Sequence, residues 1–410
     1  MKFAITGLGM LNGLGSTVQE NWTNLTAGKS AIQEFSWPAD NPDNLPQTHR
    51  GIQINVGAPS PTPQFPEDKY NGDDRYWSRC TKTAVYVAEQ AYLDSGLKSK
   101  KLGVIFATTA GTYEALGKAM NTMDDGRSKF SPKQIMNSTI DYASGQIVKT
   151  LGLTGMSTGM HAACASGLYA LDYGIKTLLT DPDLDAVVVG GADTSIHSYV
   201  YFYFQNLGAL SKESAEHACK PFDVDRSGIV LGEGGAALII EPLEKAVARG
   251  AHIHALILGT GLASDGKYDI SPDPNGTSQR SAVLKALRMA NLDKSDIDFI
   301  NAHATGTPLG DDIEFDIMRE LFPNKVMVSN KGQLGHSLGA SGIIETIYTV
   351  LSLQNQLAPP NVNLTTPLGQ GMQLPTISTT IKAKYAVKNS FAFAGRSACA
   401  ILAKYDGELE

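Results

Sequence analysis

The stretch Gly159-Met160-His161-Ala162-Ala163-Cys164-Ala165-Ser166-Gly167 decides how the rest of the chain is read. A single cysteine stands among small and apolar residues, directly after a short turn and directly before a helical pattern. At the start of a helix, free backbone N–H groups and the positive end of the macrodipole stabilise a thiolate. The same amides can hold a developing oxyanion. This setting marks Cys164 as a nucleophile whose small neighbours leave its sulfur reachable. A buried cysteine is otherwise a small packing residue, which is the reading for Cys80, Cys219 and Cys399.

Outward from this stretch, almost every residue from Ala165 to Gly174 is small or apolar. A helix without a polar stripe belongs inside a core, so a helix over Cys164–Leu178 is expected to be buried. Ala186-Val187-Val188-Val189-Gly190-Gly191 reads as a strand covered on both faces, and Ile229–Glu241 as a second, glycine-interrupted one. On the N-terminal side, Phe3–Thr6 reads as a strand running into a Gly7-Leu8-Gly9 turn, with Thr17 capping a helix. An irregular excursion follows from about Glu34 to Tyr76, then a helix over Thr81–Leu93 and the strand Leu102–Phe106. Residues Thr112–Asn137 read as a lid, and Ile140–Leu151 as a helix. The C-terminal part repeats this order: strand His254–Leu262, helix Ser278–Met289, strand Asp298–Ile300, strand Lys325–Ser329, helix Ala340–Leu353, and closing strands at Tyr385–Phe393 and Ala398–Lys404. A strand, a reactive loop and a buried helix thus recur in two halves, although the halves share no evident sequence identity.

The chain has 410 residues, 34 Lys+Arg against 41 Asp+Glu and a net charge of -7. Its length allows two fused units with a large core. Its charge argues against a mainly nucleic-acid-binding surface. The four cysteines are widely separated, with no C-x-x-C pair, so neither a disulfide framework nor a structural zinc site is expected, and a reducing cytoplasm is. The N-terminal apolar run lacks the length and cleavage pattern of a signal peptide, and no run approaches the roughly 18 apolar residues of a membrane span. Gly7-Leu8-Gly9 nearly spells a dinucleotide fingerprint but lacks its last glycine.

Two distant histidines stand in polar loops: His303 in Asn301-Ala302-His303-Ala304-Thr305-Gly306-Thr307 and His336 in Gly335-His336-Ser337. Asp311 and Glu314 lie at i and i+3 on a helix expected to begin near Pro308, where they can accept hydrogen bonds that fix the His303 loop. Lys331 precedes His336; a buried lysine needs a carboxylate, and Glu345 in the following helix is placed to be it. Metal binding is the competing explanation for the histidines, but neither an i, i+4 ligand pair nor an H-E-x-x-H run is present.

With these residues in view, the chain resembles the β-ketoacyl-acyl-carrier-protein synthases, elongating condensing enzymes of the thiolase superfamily, over essentially its full length. The resemblance is carried by the Cys164 stretch, Pro221-Phe222-Asp223 through Arg226, Gly228, Gly232-Glu233-Gly234, Ser271-Pro272-Asp273, His303–Asp311, Lys331–His336 and Asn389-Ser390-Phe391-Ala392-Phe393. It implies an α/β fold, the duplicated αβαβα five-layered sandwich, with residues 1–250 holding the nucleophile and cap insertions and 251–410 the two catalytic histidines. It also implies that Cys164 accepts the acyl primer, that His303 and His336 act on the malonyl group, and that Lys331 and Glu345 support them. The amides of Cys164 and Phe393 would hold the oxyanion, Phe391 and Phe393 would gate the site, and Thr305 and Thr307 would contact phosphopantetheine.

The implied reaction is decarboxylative condensation with malonyl-acyl-carrier protein, giving a 3-oxoacyl product and CO2. The enzyme itself would bind no cofactor and no metal, because the phosphopantetheine belongs to the carrier protein. The partners implied are the carrier protein and a second subunit, as a homodimer or as a heterodimer with a ketosynthase-like paralogue. Neither nucleic acid nor a membrane span is implied, and the setting is cytoplasmic. Arg79 and Lys82 are expected to form part of a basic docking patch, and Ala110, Ala162 and Ala163 to leave an open acyl tunnel. Four departures from the family pattern stand out: Ala392 and Ala394 flank Phe393 where glycines are usual, Ser397 stands where asparagine is usual, Ala304 follows His303 in place of glycine, and Ile270 stands where threonine is common. They raise the alternatives of a specialised polyketide or polyene ketosynthase, a malonyl decarboxylase or acyltransferase, and a non-catalytic pairing subunit.

Overall fold

Glycines at two-residue spacing decide how the first strand meets its helix. The computed structural model describes residues 2–36, 52–66, 69–70, 72–124 and 135–407. In it, Phe3 to Asn12 form one continuous strand, β1, bulged between Ile5 and Gly7, so Gly7-Leu8-Gly9 is not the turn the sequence led us to expect. The glycines are needed for a different reason. A methyl group on Gly7 would lie 2.1 Å from the Ala91 carbonyl oxygen, and one on Gly9 2.0 Å from that of Val87, so the helix Arg79–Asp94 lies directly on the strand backbone. The second half uses the same device, with Gly259 and Gly261 against the carbonyls of Ala286 and Ala282 at 2.3 and 2.0 Å.

Counting only the strands of the main sheet, the first half supplies β1, β2 (Leu102–Ala107), β3 (Ser157–Met160), β4 (Ala186–Asp193) and β5 (Gly234–Pro242). The second supplies β6 (Ala255–Ala263), β7 (Phe299–Asn301), β8 (Val326–Val328), β9 (Tyr385–Phe391) and β10 (Ser397–Ala403). All ten join in the order β8-β7-β9-β10-β6-β1-β5-β4-β2-β3. Read outward from the β1–β6 seam, each half has the same arrangement: two antiparallel pairings, then two parallel ones. This repeated topology is the evidence for duplication that residue identity does not provide.

Helices Ser166–Thr180 and Ser341–Asn355 lie between the two half-sheets and pack on both. They cross closely: a methyl on Gly167 would lie 2.9 Å from the Ile343 nitrogen, and one on Gly342 3.0 Å from that of Leu168. One apolar cluster fills this middle layer. Two others lie under the outer helices, one beneath Arg79–Asp94 and Tyr142–Leu151, the other beneath Thr277–Ala290 and Pro308–Leu321. The result is five layers, helix–sheet–helix–sheet–helix.

Thr17 caps the helix Val18–Thr26 as expected, accepting from the Glu20 amide. The expected excursion contains the short strand Val56–Ala58 and a 3-10 turn at Asp73–Tyr76; its residues 37–51, 67–68 and 71 lie outside the described residues. The expected lid begins as a helix, Tyr113–Asp124, and its residues 125–134 also lie outside them. No described helix is long and apolar enough to cross a membrane.

Candidate active site

Cys164 is not the first residue of its helix. The helix starts at Ser166, and Cys164 sits on a tight elbow in which Ala163 adopts φ +49, a conformation that is strained for any residue with a Cβ. The elbow is tied at both ends. The Ser166 hydroxyl donates to the Ala163 carbonyl at 2.5 Å and accepts from the Ala162 amide at 2.7 Å, and the Thr109 hydroxyl donates to the same Ala163 carbonyl at 3.1 Å.

The expectation of a lowered thiol pKa is overturned. Burial pushes the Cys164 thiol up to about 12, against the pull of Lys331. A helix start two residues away cannot make up for the water lost around the sulfur. At rest Cys164 is therefore a thiol. The remaining cysteines, Cys80, Cys219 and Cys399, are free and buried.

His303 follows β7, and its loop is held from below. Glu314 accepts from the amides of His303 at 2.8 Å and Ala304 at 2.7 Å, while Asp311 accepts from those of Thr305 at 3.0 Å and Gly306 at 3.2 Å. This is the loop-fixing arrangement expected of these two carboxylates; Ala304 contributes its amide to it, and its carbonyl accepts from the Ser329 hydroxyl at 2.8 Å. Burial raises both acids, Asp311 to about 7. Thr305 and Thr307 turn their hydroxyls to each other at 3.1 Å.

His336 follows β8 and Gly335; its Nδ1 lies 3.0 Å from the Ser341 hydroxyl. The two imidazoles meet edge to face with centroids 5.3 Å apart, and Phe391 stands 6.3 Å from His303. Nδ1 of His303 and Nε2 of His336 are buried with no protein partner among the described residues. Such atoms are costly to bury, and they are what a site for a polar substrate would show.

Beneath the histidines, Glu345 is fully buried between two lysines. Lys331 reaches it through a short contact and also donates to the His303 carbonyl at 2.6 Å, and Lys388 reaches its other oxygen at 2.8 Å. The Lys331–Glu345 pair was expected; Lys388 was not, although it stands as a single charge in the apolar strand β9. Asn389 beside it donates to Glu314 at 3.0 Å. Burial, reinforced by Lys331 and Lys388, holds both histidines well below the usual imidazole range, so they are neutral at physiological pH. Asp193 is a further buried polar residue that the sequence reading did not single out.

Cys164, His303, His336, Thr305, Thr307, Asp311, Glu314, Phe391 and Phe393 all line one cavity of about 350 Å³, whose mouth includes Leu207, Ile270 and Leu309. The amides of Cys164 and Phe393 donate to no other residue among those described. Ala110, Ala162 and Ala163 do not line this cavity. Ala110 instead packs with Cys164, Val200, Tyr201 and Leu231 in an apolar cluster, and Ala162 and Ala163 are bound into the elbow. Arg79 is not a free surface cation, since its guanidinium is committed to the buried Glu233 at 2.6 Å. Among the described residues, no His, Cys, Asp and Glu side chains gather as a metal site.

Two family models match the chain: the beta-ketoacyl synthase N-terminal domain over residues 2–246 and the C-terminal domain over residues 254–365. A protein of Schizosaccharomyces pombe named as a mitochondrial 3-oxoacyl-acyl-carrier-protein synthase is 33% identical, covering 98% of this chain and 99% of its own. The 3-oxoacyl-acyl-carrier-protein synthase 2 of Rhizobium meliloti is 30% identical, covering 99% of each. Among solved structures, a beta-ketoacyl synthase from Burkholderia phymatum superposes with a TM-score of 0.88 and the ishigamide ketosynthase/chain length factor with 0.86, each at 28% identity over 98% of this chain and 99% of its own. The fold is the thiolase-like αβαβα sandwich, and the chain belongs to the β-ketoacyl synthases, acyl-transferring condensing enzymes of the thiolase superfamily.

Proposed function

We propose that this protein elongates an acyl primer on Cys164 with a malonyl unit delivered by an acyl carrier protein, residues 1–250 supplying the nucleophile and 251–410 the decarboxylating histidines. The observation that carries this reading is one cavity shared by a thiol, two neutral imidazoles and two amides that donate to no other residue among those described. In the first half-reaction the Cys164 sulfur attacks the primer thioester. A new C–S bond forms, the carrier's C–S bond breaks, and the carrier thiol leaves with the proton. The amides of Cys164 and Phe393 are placed to hold the oxyanion. In the second, the malonyl C–C bond breaks, CO2 departs, and the electron pair becomes an enolate whose oxygen takes hydrogen bonds from His303 and His336. The enolate carbon then attacks the Cys164 thioester, a C–C bond forming as the C–S bond breaks, and the expelled thiolate takes a proton from water to restore the thiol.

Thr305 and Thr307 line the approach, where a pantetheine arm would pass, and Phe391 and Phe393 close it against water. Ala110, packed with Cys164 outside the cavity wall, would bound the acyl side. The chemistry uses the substrate's own carboxylate as its driving group, so it asks for no cofactor on the enzyme. We read the working state as a dimer in the cytoplasm, a setting that agrees with four unpaired buried cysteines.

A second reading, a polyketide or polyene ketosynthase working beside a paralogue, is favoured by the likeness to the ishigamide ketosynthase/chain length factor and by the alanines flanking Phe393. The test is product analysis with carrier protein, malonyl-carrier thioester and a ladder of acyl primers. A 3-oxoacyl product with stoichiometric CO2 is expected. CO2 without that product identifies a decarboxylase, and condensation only after a paralogue is added identifies the heterodimer.

A further inference from the structure

Asp193 ends β4 with a fully buried carboxylate, and no cation pairs with it among the described residues. Its donors come from two directions. Oδ1 accepts from the Thr108 hydroxyl at 2.9 Å, the Thr109 amide at 3.0 Å and the Ala110 amide at 2.7 Å, all in the loop after β2. Oδ2 accepts from the Gly339 amide at 2.7 Å, in the 3-10 turn Leu338–Ala340 that separates His336 from its partner Ser341. The approach is close: a methyl on Gly339 would lie 3.0 Å from Oδ2 and 2.6 Å from the Thr109 hydroxyl. That hydroxyl donates to the carbonyl of Ala163, the strained residue immediately before Cys164.

We propose that Asp193 is a positioning residue, which sets the Cys164 elbow through Thr109 and the His336 segment through Gly339, so that nucleophile and imidazole keep one register. This rests on the condensing function proposed above. A carboxylate buried without a counter-ion is costly unless it is fully hydrogen-bonded, and here the compensating donors come from both catalytic halves. Burial pushes its carboxyl up to about 6, against the pull of those same donors. A simple staple within one loop would need neither the Gly339 contact nor the hydroxyl that passes the constraint on to Ala163.

The test separates the two half-reactions in the full-length protein, with acyl-enzyme formation followed by intact mass and malonyl decarboxylation by CO2 release. In Asp193→Asn the amide keeps an oxygen for one set of donors and turns an NH2 toward the other. Both half-reactions are expected to fall, toward the ~10²-fold that a misplacement of about 1 Å costs. Thr109→Val cuts only the link to the elbow. Acyl transfer is expected to drop about tenfold, the worth of one lost hydrogen bond, while decarboxylation stays within about twofold and Thr109→Ser restores transfer. Equal losses in both half-reactions for Thr109→Val, or unchanged transfer in it, overturn the proposal, as does wild-type behaviour of Asp193→Asn. If Asp193→Asn does not fold, the Thr109 pair decides alone. A wild-type protein that performs neither half-reaction overturns the condensing function itself and this proposal with it.

Discussion

Cys164 and His336 lie on corresponding connections of their respective halves, and the charges nearest to them differ. Each follows the outermost strand of its half-sheet and precedes a helix of the middle layer, and each connection holds a non-glycine residue in the left-handed region, Ala163 directly before Cys164 at φ +49 and Leu338 two residues after His336 at φ +44. Around the cysteine the elbow is built from small residues and neutral hydroxyls, with Asp193 as its carboxylate. Around the histidine lie two lysines and a glutamate, all fully buried. Both settings nevertheless leave the reacting group uncharged at rest, the thiol because burial raises it and the imidazole because burial lowers it. The scaffold provides two dry elbows facing one cavity, and the charge needed for reaction enters with the substrate.

The largest effect expected to test this comparison is removal of the sulfur. Cys164→Ala should lose acyl-enzyme formation and condensation by about 10⁴-fold or more, as for other nucleophile deletions, while malonyl decarboxylation persists. Acylation that remains in the variant and maps to Cys80, Cys219 or Cys399 would remove the nucleophile from this half. Next, His303→Ala and His336→Ala should each lower CO2 release by ~10²–10³, the usual worth of one group stabilising an oxyanion, with primer transfer within a few-fold of wild type. Wild-type CO2 release in both would end the division between halves.

The charged floor of the histidine half gives the next effect. Glu345→Gln leaves Lys331 and Lys388 buried without their carboxylate, and breaking such an arrangement should cost about 3–5 kcal/mol. Urea unfolding measures it; a loss below about 1 kcal/mol would mean that Glu345 is dispensable to the fold.

pH sharpens the contrast further. Both histidines are protonated only well below pH 6.5, so they should add no inflection to decarboxylation between pH 8 and 6, where a decline should follow Asp311, at about 7, and Asp193, at about 6. With the thiol at about 12, iodoacetamide labelling of Cys164 should climb about tenfold per pH unit over the same range, because only the thiolate reacts. Titration of either imidazole near 6.5, followed by NMR, or a labelling plateau near pH 8, would contradict the environments described. The smallest effect compares the two left-handed alanines. Ala163→Gly and Ala394→Gly, at φ 49 and 58, should each change stability by about 1 kcal/mol or less, strain relief being offset by the freer unfolded chain. Only the first should slow acyl transfer.

The residues legible from the sequence were those whose meaning is local. Cys164, His303 and His336 announce themselves by their neighbours, and Lys331 with Glu345 could be paired by asking what a buried lysine needs. Lys388 and Asp193 were not legible because a lone charge beside an apolar strand run has no local partner; the β4 and β9 positions in the sheet supply it. Gly7 and Gly9 were misread because glycine serves both positive φ and close backbone approach, and sequence alone does not say which. The Cys164 pKa went the wrong way because helix proximity can be read along the chain, whereas the number of atoms covering a sulfur cannot. The ion pair of Arg79 was not legible for a similar reason, Glu233 being 154 positions away.

The place of β1 has a consequence for the protein's synthesis. Phe3–Asn12 is buried throughout, and its partners are β5 and β6, which end only at Pro242 and Ala263. At about 5–20 residues per second on a ribosome, this apolar segment waits roughly 12 to 50 s before either neighbour exists. β1 is thus made long before the strands that cover its two edges, and a nascent chain of this protein would present it unpaired to holding chaperones for more than half of the synthesis of these residues.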